Sequence, residues 1–160
     1  VLRLTIPKGG CVSIFEIEVF GATDDDREEG GSDYELPNVA EGKTATADNV
    51  QDGFVAAYAT DGKLDTRWSS NQQGSAVLTV DLGSVYRVDG VTLVLEAAWV
   101  PYTVSYSTDG EHYTHLADGS SDQTLMELTD LDVDARYVRV SRVGENWFSI
   151  FECMVFGEKK

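Results

Sequence analysis

Histidines, a run of alternating aspartates, one glutamate in an apolar strand and a few tryptophans are the residues whose types could do chemistry in this chain. His112 and His115 stand three apart in a stretch that reads as a strand. Side chains there alternate between faces, so the pair cannot chelate one ion together. Asp130, Asp132 and Asp134 open like an EF-hand loop, which needs glycine at its sixth position and glutamate at its twelfth. Those positions hold Ala135 and Ser141, so the aspartates read as a charged turn before a strand. No carboxylate pair stands out as an acid/base couple. A glycine-rich phosphate loop, a nucleophile elbow and a cysteine-rich metal motif are all missing from the sequence. Cys11 and Cys153 allow one disulfide but no zinc cluster. Glu152 is the exception: it interrupts the apolar run SIFECMVF, and a buried carboxylate in such a place wants a cation.

The elements that must position these groups read as β. Leu78, Val80 and Leu82 share a face in AVLTVDLG (76–83), and Val91, Leu93 and Leu95 do so in VDGVTLVLE (88–96). YTVSYS (102–107), RYVRVSRV (136–143) and FSIFECMVFG (148–157) complete the clear strands. Asp61-Gly62, Asp89-Gly90, Asp109-Gly110 and Asp118-Gly119 read as turns. No window reads as a helix. Short antiparallel strands with regular turns predict an all-β fold, a sandwich or jelly roll. The apolar run Val91–Val100 is broken by Thr92 and Glu96 and is too short and polar to span a membrane. The net charge of −16 repels nucleic-acid backbones and anionic membranes, so neither nucleic-acid binding nor membrane insertion is expected.

The chain also repeats itself. Residues 1–21 align without a gap to residues 137–157, with 8 of 21 positions identical, among them Ser13/Ser149, Phe15/Phe151 and Glu16/Glu152. The expected organisation is therefore the C-terminal strands of an upstream copy at 1–21, an acidic linker at 22–37 and a complete module at 38–160. The linker holds seven acids and one base, the composition of a solvated segment. The alternative makes 1–21 an extra strand pair of the same domain. The chain opens on Val rather than Met and is expected to be a piece of something longer.

The segment Ala57-Tyr58-Ala59-Thr60-Asp61-Gly62-Lys63-Leu64-Asp65-Thr66-Arg67-Trp68-Ser69-Ser70 leads in order to Leu82-Gly83, Ser107-Thr108-Asp109-Gly110, Ala135-Arg136-Tyr137-Val138-Arg139 and Ser149-Ile150-Phe151-Glu152. This succession resembles the discoidin family, the coagulation-factor 5/8 type C domains, and within it the bacterial family 32 carbohydrate-binding modules. The resemblance implies an eight-stranded jelly-roll β-sandwich of the galactose-binding-domain-like kind, with a structural Ca2+. It implies oxygen ligands from Asp61, Thr66 and Glu152, with carbonyls from Tyr58, Lys63 and Phe151. A hard cation takes such oxygens, and Gly62 lets the loop turn them inward. Trp68 is expected in the core.

The same resemblance places ligands in loops at one end of the sandwich. Trp99 and Trp147 lie in segments that look like such loops, where an indole offers a flat apolar face to a pyranose ring, while Glu96 and Asn146 orient hydroxyls. Galactose-binding members carry Trp-His-Thr after the calcium loop and an Arg followed seven residues later by Asn. Here the first is Trp68-Ser69-Ser70 and the second gives way to Leu95-Glu96-Ala97-Ala98-Trp99. That pattern resembles a subgroup seen with other sugars, amino sugars among them. The expectation is a non-catalytic carbohydrate-binding module of a secreted or cell-surface bacterial protein, a multimodular glycoside hydrolase, with a glycan as partner. The alternative is an adhesion or protein-recognition domain of the same fold.

Overall fold

The computed structural model describes residues 36–98 and 100–160. The expectations for 1–21, for Cys11, for the linker up to residue 35 and for Trp99 lie outside the described residues. Eight strands follow in order: β1 Thr44–Ala47, β2 Trp68–Ser69, β3 Val77–Ala98, β4 Tyr102–Ser107, β5 Thr114–Gly119, β6 Leu125–Leu128, β7 Val133–Arg142 and β8 Phe148–Lys159. One 3-10 turn, Ala56–Thr60, precedes β2. All pairings between strands are antiparallel, in the order β2-β8-β3-β7-β4-β5, with β1 and β6 also on β3. The fold is the expected all-β, eight-stranded jelly-roll sandwich.

β3 organises it. Its first half pairs with β1 and β7, its second half with β6 and β8, and the register with β7 slips between Asp81 and Tyr86. One strand therefore serves both layers. Leu78, Val80 and Leu82, then Val91, Leu93 and Leu95, point inward as their alternation predicted. Trp68 is 0% exposed, donates Nε1–H to the Asn49 carbonyl at 3.1 Å and meets the Phe148 ring edge-on at 5.9 Å. Its polar edge is satisfied, so the whole indole can be buried.

Two expected turns are not turns. Asp89 is an extra residue inside β3, because Val88 faces Gly157 while Gly90 faces Phe156. A bulge tightens the local twist without ending the strand. Asp118-Gly119 ends β5, and a Cβ on Gly119 would fall 2.0 Å from the Tyr102 ring. That glycine is there for close packing, not for a turn.

Candidate functional site

The loop after the 3-10 turn is tied to the last strand through Glu152. Glu152 is 2% exposed, and its Oε1 accepts hydrogen bonds from Gly62 N at 2.7 Å and Lys63 N at 3.0 Å. Gly62 has φ +75, which lets both amides aim at one oxygen. Asp61 accepts Lys63 N at 3.1 Å and the Thr66 hydroxyl at 2.8 and 3.0 Å. Glu152 Oε2 is buried without a partner. Burial, with the Asp61 carboxylate alongside, pushes the Glu152 carboxyl up to about 7. Phe151 is skipped by the β3–β8 register, where Val94 faces Glu152 and Leu95 faces Ile150. A bulged residue leaves the ladder. Tyr58 is half-buried within the 3-10 turn. The structure thus gathers Asp61, Thr66, Lys63 and Glu152. It engages Lys63 through its N–H, where the sequence reading expected its carbonyl. Among the described residues no group of three or more His, Cys, Asp and Glu is gathered to hold a metal. A hard cation does not need one, because hydroxyl and carbonyl oxygens complete its shell. The orphaned Glu152 oxygen beside a second carboxylate fits such an ion.

Trp147 and Asn146 lie on the loop between β7 and β8. The indole of Trp147 is 45% exposed although its neighbour Phe148 is fully buried. Asn146 turns its Oδ1 back to Trp147 N at 2.9 Å, so its amide oxygen shapes the loop. Glu96 is an extra residue in β3, because Leu95 faces Ile150 and Ala97 faces Ser149. A bulge at this point re-aims its side chain out of the alternation. Its carboxylate stays 43% exposed, and Oε2 lies 2.8 Å from Arg67 Nε. That nitrogen makes no hydrogen bond, so the contact is an ion pair off the N–H line. The Arg67 guanidinium in turn sits 4.3 Å above the Phe54 ring. Because Ala98 faces Phe148, Glu96 and Trp147 flank the same end of the β3–β8 pair.

Sequence reasoning missed what holds this end together. Arg142, 8% exposed, donates to Ser70 Oγ at 3.2 Å, to the Asn71 carbonyl at 2.7 Å and to the carbonyls of Gly74 and Asn146. One buried cation joins the loop after β2 to the loop that carries Trp147. Desolvation holds its pKa below the ordinary arginine value, with Glu145 and Asp48 pulling the other way. The only sequence signal was an arginine at an inward position of RYVRVSRV.

Other candidates resolve as structure. Ser107 donates to Asp109 Oδ1 at 2.9 Å, and His112 Nδ1 lies 2.8 Å from Asp109 Oδ2, so the cluster closes a turn. His115 pairs instead with Asp118 at 2.9 Å, and the two histidines share no ligand. Asp130 and Asp132, at φ 56 and 47, form the expected charged turn, and Asp132 pairs with Arg87 at 2.6 Å. Cys153 is fully buried, which pushes its thiol up to about 12 and leaves it inert at neutral pH.

Comparison with known proteins places these features. The F5/8 type C domain model matches residues 43–154. Polysaccharide lyase 8 family protein HylA of Enterococcus faecalis is 35% identical over 94 residues, 56% of this chain and 7% of HylA, so the chain spans a small part of that relative. Chitosan-binding module 1 of a chitosanase/glucanase from Paenibacillus sp. IK-5 is 33% identical with TM-score 0.70, over 76% of this chain and 99% of that one. Module 2 of that enzyme, solved with chitotriose, is 25% identical with TM-score 0.69, over 75% and 100%. With its loop-to-strand carboxylate tie, its jelly-roll order and a family match over most of its length, this chain belongs to the F5/8 type C domain family.

Proposed function

We propose that the chain is a non-catalytic carbohydrate-binding module that holds a larger secreted bacterial glycoside hydrolase at its glycan. The carrying observation is Trp147: a 45% exposed indole on a loop pinned by a buried arginine. A flat apolar face held rigidly is what stacking on a pyranose ring requires, because little side-chain freedom is lost on binding. Trp99, two residues before Pro101 and next to Ala98, is assigned to the same site from sequence alone. Glu96 supplies an acceptor whose direction Arg67 fixes, and Asn146 supports the loop.

Glucosamine oligosaccharides are the first ligands to test. The half-exposed Glu96 carboxylate supports an amine or hydroxyl donor there, and the chitosan-binding modules of Paenibacillus sp. IK-5 support the sugar class by likeness. The Arg67 pair tempers the local negative charge, so selectivity for the amine over the acetamide should be moderate.

A structural Ca2+ completes the reading. Asp61, Thr66 and Glu152 would hold it with side-chain oxygens, and Tyr58, Lys63 and Phe151 with carbonyls. The ion would neutralise two neighbouring carboxylates and lock the loop onto β8. The repeat of residues 137–157 in 1–21 supports a tandem arrangement, in which linked weak sites gain through effective concentration.

Calorimetric titration of the 160-residue chain with chitotriose, with and without Trp147→Ala, tests the proposal. Binding that is lost in the variant at unchanged melting temperature supports it. A folded, calcium-loaded protein that binds no glycan of a broad array overturns it and leaves the adhesion reading.

A further inference from the structure

The outward face of the β1-β3-β7-β4-β5 layer carries a concavity that the proposed function does not use. Its volume is about 450 Å³, within the range of about 300–1,000 Å³ usual for small-ligand sites. Thr46, Ala47, Asp48, Val77, Thr79 and Arg139 line it. The antiparallel register builds the floor: Thr46 faces Thr79, Thr79 faces Arg139, Arg139 faces Ser105 and Ser105 faces His115. One polar row thus crosses five strands, on the face opposite the buried Val80, Val104 and Val138.

Arg139 sets the chemistry. Its guanidinium lies 3.5 Å from the centroid of the Tyr113 ring, and its Nε donates to Thr79 Oγ1 at 3.3 Å. These contacts hold the planar group over the cavity. Among the described residues, Arg67, Arg87 and Arg136 each pair with a carboxylate, and Arg142 is buried against loop carbonyls and the Ser70 hydroxyl. Arg139 has no carboxylate partner, in a chain of net charge −16 where such partners are plentiful. A stacked guanidinium of this kind recognises planar or tetrahedral oxyanions through paired N–H donors. Asp48 lines the same cavity, and its oxygens already accept Ser75 Oγ at 2.5 Å and Val77 N at 2.8 Å. Its charge disfavours a second anion and suits hydroxyls.

We infer a second ligand site on this sheet face, for a sugar unit that carries one oxyanion, a uronate carboxylate or a sulfate ester. Arg139 takes the anionic group, the hydroxyls of Thr46 and Thr79 meet the ring, and Asp48 accepts a ring hydroxyl. A cation and a carboxylate line one cavity, so the site fits a singly charged sugar and rejects a densely anionic polymer.

The test is an amide and arginine side-chain NMR titration of the full chain with methyl glucuronide, methyl glucoside and a 6-sulfated methyl galactoside. Glucuronide, the sulfated sugar or both should shift Thr46, Thr79 and Arg139, whereas the glucoside should not. Whichever anionic sugar binds identifies the group. Arg139→Met, which keeps a chain packed on Tyr113, should weaken that binding at least about tenfold. Arg139→Lys should weaken it less, and Trp147→Ala should leave it unchanged while removing the loop-end ligand. Equal shifts with glucoside and glucuronide, an unchanged affinity in folded Arg139→Met, or no shifts at these residues with any of the three sugars would each overturn the inference.

Discussion

Two carboxylates near one end of the sandwich have opposite environments. Glu152 is buried, receives two backbone amides on one oxygen and leaves the other oxygen unpartnered. Glu96 is half exposed and charge-paired with Arg67. The tryptophans divide in the same way: Trp68 is sealed, with its N–H satisfied, while Trp147 stands in solvent beside the buried Phe148. The incomplete satisfaction of Glu152 is what the proposed ion would relieve. The exposed indole of Trp147, on a loop tied at Asn146, is what the proposed glycan would cover.

Substitutions that cross this division should separate stability from binding. The largest effect belongs to the sealed side. Trp68→Ala should cost about 3–5 kcal/mol of stability, by removing a wholly buried indole and leaving a cavity, as chemical denaturation would read. Trp147→Ala on the same measurement should stay within about 0.5 kcal/mol, because its loss exposes no core. If the two costs proved alike, Trp147 would be a packing residue and the division would fail.

Arg142→Met comes next. It strands the carbonyls of Asn71, Gly74 and Asn146, and should cost about 2–3 kcal/mol and weaken glycan binding through the displaced Trp147 loop. Full glycan affinity in a folded Arg142→Met protein would remove the arginine from any positioning role.

The ion-site prediction concerns pH. The Glu152 carboxyl is raised in the folded state, to about 7, so its contribution is fully present below the unfolded value of 4.5 and is lost as pH rises through 7. Chelator-treated protein should therefore melt lower at pH 8 than at pH 5. Calcium should restore the loss at pH 8, and Glu152→Gln should abolish both responses. A melting temperature indifferent to chelator at pH 8 would contradict the ion. A small stability effect is also expected for Glu96→Gln, at most about 1 kcal/mol since the pair is partly exposed, with its consequence read instead as lower affinity for amine-bearing sugars.

Much of the fold was legible because burial imposes period two. Leu78, Val80 and Leu82 announce an inward face without help from their partners. The oddity of Glu152 was legible for the opposite reason, since a carboxylate in an apolar run violates the pattern, and the structure buries it against the amides of Gly62 and Lys63. What stayed hidden depends on register. Asp89-Gly90 has turn composition, yet β3 runs straight through it as a bulge against β8. β2 is two residues long, too short for any alternation. The Arg142 tie and the Glu96–Arg67 pair join residues 68–72 and 29 positions apart in sequence, and nothing local marks them. Arg139 belongs with them: only the cross-strand pairing sets it beside Thr79, and Tyr113 reaches it from just before β5.

The most direct test of the central claim is the affinity of the calcium-loaded chain for glucosamine oligosaccharides, measured by calorimetry alongside Trp147→Ala. The account predicts measurable binding that falls at least about tenfold in the variant, at equal melting temperature. Affinity that survives the loss of the exposed indole would contradict it.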